Sequence, residues 1–147
     1  MTPDRSFLAR NAAATQQLKA VAVRITDTEL AQKVEGDWIV AAVLGHIAFW
    51  DRQRLALLTK WEQQGVQPAD HDGDVFNEAL LPLLLALPPR AAVQLAIDHA
   101  EAIDRKLASI SDQLLADILT LPNPPNLERA IHRREHLAQL ERVGIRV

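Results

Sequence analysis

Apolar residues recur at helical spacing along most of the chain, and the alternation typical of strands is almost absent. The first apolar stripe is spaced by threes, fours and sevens and consists of Phe7, Ala14, Leu18, Val21 and Ile25. It predicts a helix from about Pro3 to Arg24, since proline suits a first helical turn. Capping residues from Thr26 onward predict a short helical piece that ends near Val34.

The second long helix is predicted from Trp38 to about Gln64, with Asp37 as its N-cap. Its inward face contains Ile39, Val43, His46, Trp50, Leu57 and Trp61, with Gln53 on the same line. His46 therefore belongs to the buried face. Because a buried imidazole needs a hydrogen-bond partner or a ligand role, His46 is the first candidate for chemistry.

Two further long helices are predicted in the second half of the chain. One runs from Arg90 to about Ile110, and the other runs from Leu127 to Arg142 with Asn126 as its cap. Shorter helices are expected at 75–87, interrupted by Pro82, and at 111–119. Four long helices with long connections predict an all-α, single-domain four-helix bundle over residues 1–147 that is not simply up-and-down.

Composition narrows the function classes. The net charge of −3 argues against a nucleic-acid partner, which usually needs a basic surface. The absence of cysteine excludes disulfides and thiolate ligands. The longest apolar run, 39–50, is too short to span a bilayer, so we expect a cytoplasmic protein with no membrane contact.

His132 and His136 stand four residues apart on the last predicted helix, which places both imidazoles on one face. If the fold brings His46 against this pair, three nitrogens can bind one divalent metal ion and leave a position open to water or substrate. Zinc, nickel, iron and cobalt all accept imidazole, so the ligands do not select the metal. The alternative is that His46 is a core histidine with a partner and that His132 and His136 are ordinary surface residues.

Arginines flank the two histidines on the last helix. Arg133, beside an open metal position, could bind an anionic substrate group. The favoured interpretation is that Arg129 and Arg133 belong to a solvated face together with neighbouring acidic residues. Asp51 is expected to project well away from the His46 face.

The segment WIVAAVLGHI at 38–47 resembles the Trp-x-Val-x-x-x-Leu-x-His-Leu motif of the DinB/YfiT-like family. The segment HRREHLAQL at 132–140 is similar to that family's closing His-x-x-x-His helix with a following glutamine. The resemblance implies a four-helix bundle of up-down-down-up topology. It also implies that His46, His132 and His136 bind a divalent metal, often zinc or nickel.

The same resemblance implies activities that transfer a low-molecular-weight thiol onto an electrophile. We therefore expect a metal-dependent enzyme, either a thiol transferase with a small thiol cosubstrate or a hydrolase, and a pocket lined by Trp50, Gln53 and Arg133. Two alternatives stay open: a non-catalytic protein that binds or sequesters a small molecule, and a metal-free helical interaction module. A homodimer through the leucine-rich segment 80–87 is a further expectation.

Overall fold

The computed structural model describes residues 2–147, in which the regular secondary structure is helical apart from one small hairpin. The elements in chain order are α1 (Phe7–Arg24), α2 (Asp27–Leu30), β1 (Lys33–Glu35), β2 (Trp38–Ile39), α3 (Val40–Gln64), α4 (Gly73–Ala86), α5 (Pro89–Ser109), α6 (Asp112–Leu119) and α7 (Arg129–Arg142). The expected all-α class is confirmed.

The hairpin between α2 and α3 was not predicted. β1 pairs antiparallel with β2, and Gly36 takes a φ of 53° in the turn between them, a conformation that suits glycine. The prediction of Asp37 as N-cap is wrong, because the backbone stays extended through Ile39 and α3 begins at Val40. Strands of three and two residues are too short to produce a recognisable alternation.

Two other predicted boundaries are also corrected. α4 begins at Gly73 and continues through Pro82 without a break, although proline cannot donate the helical hydrogen bond. The Asp72 side chain caps it by accepting hydrogen bonds from two backbone N–H groups of the first turn. The side chain of Asn126 accepts a hydrogen bond from the backbone N–H of Glu128, the residue directly before α7. Asn126 therefore stabilises the segment that leads into α7 and is not its N-cap.

Contacts between the long helices fix their relative directions. α3 and α5 run the same way, because an early pair (Ala48 with His99) is followed by a later pair (Glu62 with Lys106). α1 and α7 also run the same way, as shown by the contacts Asn11–Ala130 and Arg24–Arg146. α1 and α5 run in opposite directions, as shown by the contacts Arg5–Ile110 and Thr15–Asp104. α3 and α7 are also antiparallel, since Asp51 contacts Arg129 and the earlier His46 contacts the later His136.

Two apolar clusters form the core, and a polar layer lies between them along the helices. One cluster joins the ends of the long helices at 18–25, 40–48, 92–100 and 137–145. The other gathers Leu58 and Trp61 of α3 with the end of α5 and with α6. Five buried polar residues form the layer: Asn11, Thr15, Asp51, Arg129 and Arg133. The candidate site lies on α3 and α7 next to this layer.

α4 packs on the outside of α3 and leaves much of its apolar surface uncovered. Gly45 allows the close approach, since a Cβ at this position would lie 2.8 Å from Cδ2 of Leu84. Val75, Phe76, Leu83 and Leu85 are exposed. The homodimer expected through this segment stays a prediction. Among residues 2–147, no helix combines the length and the apolar character needed to cross a membrane.

Candidate metal centre

The structure brings the three predicted histidines together. His46 comes from α3 and the other two come from α7, which runs in the opposite direction beside it. The Nε2 atom of His132 lies 3.1 Å from Nε2 of His46 and 3.2 Å from Nε2 of His136. One nitrogen from each ring lies within 4.8 Å of the other two, so the group could hold a metal ion.

These separations suit a tetrahedral ion. Zinc–nitrogen bonds of about 2.0–2.1 Å place neighbouring ligand nitrogens about 3.3 Å apart. Hydrogen bonds alone explain these short distances poorly. Each close pair of ring nitrogens needs a proton between its two atoms, and a proton on His132 Nε2 can point to only one of its two neighbours. A cation at the centre would accept all three lone pairs.

The outer nitrogens of the three rings have different surroundings. His136 Nδ1 lies 2.9 Å from Oε1 of Gln139 and donates to it, which directs the lone pair of Nε2 at the site. The tautomer of His136 is therefore the one that a metal ligand needs. His46 Nδ1, in contrast, is buried without a hydrogen-bond partner.

His132 is held differently, because its Nδ1 lies 3.3 Å from Nη2 of Arg129. A guanidinium can only donate, so His132 Nδ1 accepts and the proton of the neutral ring resides on Nε2. Ligation through Nε2 requires that proton to leave. Either the ring moves its proton to Nδ1 and gives up Arg129, or it binds as an imidazolate that Arg129 stabilises.

Burial keeps two of the rings uncharged. It lowers the pKa of His46 to about 4, with a smaller contribution from nearby His136 and then Arg129. Burial likewise lowers the pKa of His132 to about 2, and the same two neighbours add to the shift. Neutral imidazole is the form that binds metals, so neither ring has to give up a positive charge at neutral pH, although His132 still has to move the proton from its Nε2.

The three histidines open onto a cleft of about 360 Å³. Its other walls are Trp50, Arg54, His71, Gly73, Asn77, Arg129 and Glu135. Of the residues predicted to line a pocket, Trp50 does face this cleft, with its ring 6.4 Å from that of His46. Gln53 lines a neighbouring cavity of about 250 Å³, and Arg133 lines neither.

The predicted solvated face of α7 is wrong at its two arginines. Arg133 is 0% exposed, and Arg129 is 2% exposed. Both donate from Nε to the carboxylate of Asp51, at 2.9 Å and 2.8 Å. Asp51, which was expected to project away from the His46 face, is fully buried and connects α3 to α7 within about one and a half turns of His46.

The rest of the polar layer satisfies Arg133 and holds the start of α7. Arg133 also bonds to Thr15, to Asp104 and to two backbone carbonyls. Asn11 accepts from the backbone N–H of Ala130 and donates to the carbonyl of Leu127, so α1 caps the helix that carries two of the histidines. The sequence carries one sign of this role, because Asn11 interrupts the apolar stripe of α1 between Phe7 and Ala14.

Compared with models of protein families, with curated proteins and with solved structures, the chain has no match. The geometry of His46, His132 and His136 therefore defines the site.

Proposed function

We propose that the protein is a divalent-metal-dependent enzyme whose metal is held by His46, His132 and His136. The observation that carries this proposal is the convergence of three Nε2 atoms on the wall of an open cleft. Three protein nitrogens with room beside them are typical of catalytic sites, whereas structural zinc sites are closed by four protein ligands. Zinc and nickel are the metals that we propose.

A divalent ion at this position would act as a Lewis acid that favours the deprotonated form of a water or a small thiol. The chain supplies the surroundings. Trp50 and Asn77 shape the cleft, with the Trp50 indole donating to Oδ1 of Asn77 at 2.9 Å. Glu135 lines the same cleft and provides a carboxylate that can take up the released proton.

The proposed reaction is transfer of a low-molecular-weight thiol to an electrophile. The sulfur of the thiol loses its proton and uses a lone pair to form a bond to the electrophilic carbon. The electron pair of the bond that breaks at this carbon goes to the leaving group or into the conjugated acceptor. With no cysteine in the chain, the nucleophilic sulfur has to come from the cosubstrate.

We also propose that α1, α3, α5 and α7 form a four-helix bundle of the DinB/YfiT-like type. The helix directions support this proposal, because α1 and α7 run one way while α3 and α5 run the other. That is the up-down-down-up order which the resemblance implies. The connections through the hairpin, α4 and α6 are the long crossovers expected for it.

The activity is tested by incubating zinc- or nickel-loaded protein with small thiols and a panel of electrophiles. We expect a rate that His46→Ala abolishes and that Arg52→Gln, which removes an exposed arginine of α3 outside the cleft, retains. Thiol binding with no turnover would favour the non-catalytic binding protein, whereas failure to retain any metal would favour the metal-free module.

A further inference from the structure

Arg54 lies where the metal cleft and the neighbouring cavity meet. It stands eight residues after His46 on α3 and lines both spaces. Its guanidinium carbon is 5.9 Å from the centroid of the Trp50 ring, and the same ring lies 6.4 Å from the ring of His46. Trp50 lies one helical turn from His46 and one from Arg54, so its ring is beside both the guanidinium and the candidate metal position, and all three border one cleft.

The positive charge of Arg54 has no carboxylate partner among residues 2–147. Its Nε is buried and makes no hydrogen bond, while Nη1 bonds only to the neutral amide of Gln53. Asp51, the buried carboxylate nearby, is already used by Arg129 and Arg133. Buried charges and buried N–H groups are normally paired, so the unpaired Arg54 requires an explanation.

Two other carboxylates border these spaces without pairing with Arg54. Glu135 lines the metal cleft and Asp70 lines the neighbouring cavity, and both are exposed to solvent. Water screens exposed carboxylates strongly, so they compensate a part-buried cation poorly. The planar fork of a guanidinium is well matched to the oxygens of a carboxylate or a phosphate.

We infer that Arg54 is an anion-binding subsite and that the small-molecule ligand carries a carboxylate or phosphate at the end away from the metal. The ligand class rests on the proposed function, whereas the anion subsite itself does not require the metal. The ligand would place its donor atom at the three histidines, pass along Trp50 and end at Arg54.

The first experiment uses cobalt-loaded protein, because thiolate binding to Co²⁺ changes its absorption spectrum. ω-Mercaptocarboxylates of increasing chain length are titrated against the mercaptoalcohols of equal length. We expect the best carboxylate to bind about tenfold more tightly than its alcohol, in line with one charge-assisted hydrogen bond. Arg54→Gln should remove that preference and leave alcohol binding unchanged.

Two further variants separate the role of Arg54 from general effects of charge or folding. Arg52→Gln removes an exposed arginine of α3 that faces neither cavity and should keep the full preference. Arg54→Lys keeps the positive charge but lacks the planar guanidinium fork, so it should keep part of the preference for the carboxylate. An equal preference in wild type and Arg54→Gln, or no preference in wild type at any chain length, would overturn the inference.

A second experiment is independent of the metal. The Nε–H resonance of Arg54 in metal-free protein is followed by NMR during titration with acetate and with inorganic phosphate. We expect the Arg54 Nε–H resonance to shift to saturation, in wild type and in Arg52→Gln alike. The anion with the lower dissociation constant identifies which of carboxylate and phosphate is preferred. If neither cobalt, zinc nor nickel binds, the proposed function fails and this titration alone decides the inference. No saturable shift with either anion would overturn it.

Discussion

Asp51 and Arg133 form an ion pair of 2.9 Å in which neither side chain is exposed to solvent. The pair joins α3 to α7, the two helices that carry the candidate metal ligands. Asp51 binds Arg129 through its other oxygen, so a single carboxylate holds two buried guanidinium groups one helical turn apart. The polar layer therefore fixes the register of the two helices beside the site.

Replacing Asp51 by asparagine should destabilise the fold strongly. Asn keeps the approximate shape but leaves two buried cations short of a counter-charge, and breaking a buried pair costs about 3–5 kcal/mol. The free energy of unfolding, measured by urea denaturation, checks this. The matched control is Asp70→Asn in an exposed loop, and equal losses in the two variants would contradict the account.

The metal-free protein should lose stability as the pH falls from 6.5 towards 4. The pKa of His46 is about 4 in the folded state against 6.5 for the free side chain, so the unfolded chain takes up the proton first. Binding protons preferentially to the unfolded state lowers the free energy of unfolding. Urea midpoints across this range should fall, and His46→Gln should make the decline shallower. An unchanged slope in His46→Gln would show that the ring is not held neutral by burial.

Asn11→Ala should weaken both the fold and the site. It removes the acceptor for the Ala130 N–H and the donor for the Leu127 carbonyl, both of which stay buried, at a cost of about 1–3 kcal/mol. Because α7 carries two of the histidines, metal affinity should fall with the order of its first turn. Asn123→Ala, in an exposed loop, serves as the control in thermal melts and metal titrations. Equal behaviour of the two variants would mean that α1 does not cap α7.

Gln139→Ala should reduce metal affinity by about 10- to 100-fold while changing stability little. The Gln139 side chain fixes the His136 tautomer, and residues that orient a metal-ligating histidine have effects of this size. Gln139→Glu retains an acceptor and should recover most of the affinity. Competition against a chelator gives the values. Equal affinities in Gln139→Ala and wild type would show that this hydrogen bond does not orient a ligand.

The three-histidine group could be predicted because each of its parts has a local signal. Helical spacing puts His132 and His136 on one face, and the apolar surroundings of His46 indicate its burial. The step that joins them depends on how α3 packs against α7, and only the structure shows that packing.

The polar layer could not be predicted in the same way. Arg129 and Arg133 are surrounded by charged residues in the sequence, which is the usual pattern of a solvated face. Their partner Asp51 lies 78 and 82 residues away in the chain, and a single sequence carries no signal of that pairing. The hairpin before α3 was missed for a different reason, since strands this short have no period to detect.

Metal content measured after equilibrium dialysis shows whether His46, His132 and His136 together bind an ion. Wild-type protein, His132→Ala and His71→Ala are dialysed against zinc or nickel, then against metal-free buffer, and analysed by mass spectrometry for the metal. We expect about one ion per chain in wild type and in His71→Ala, and almost none in His132→Ala. Wild-type protein that retains no metal, or His132→Ala that retains as much as wild type, would contradict it.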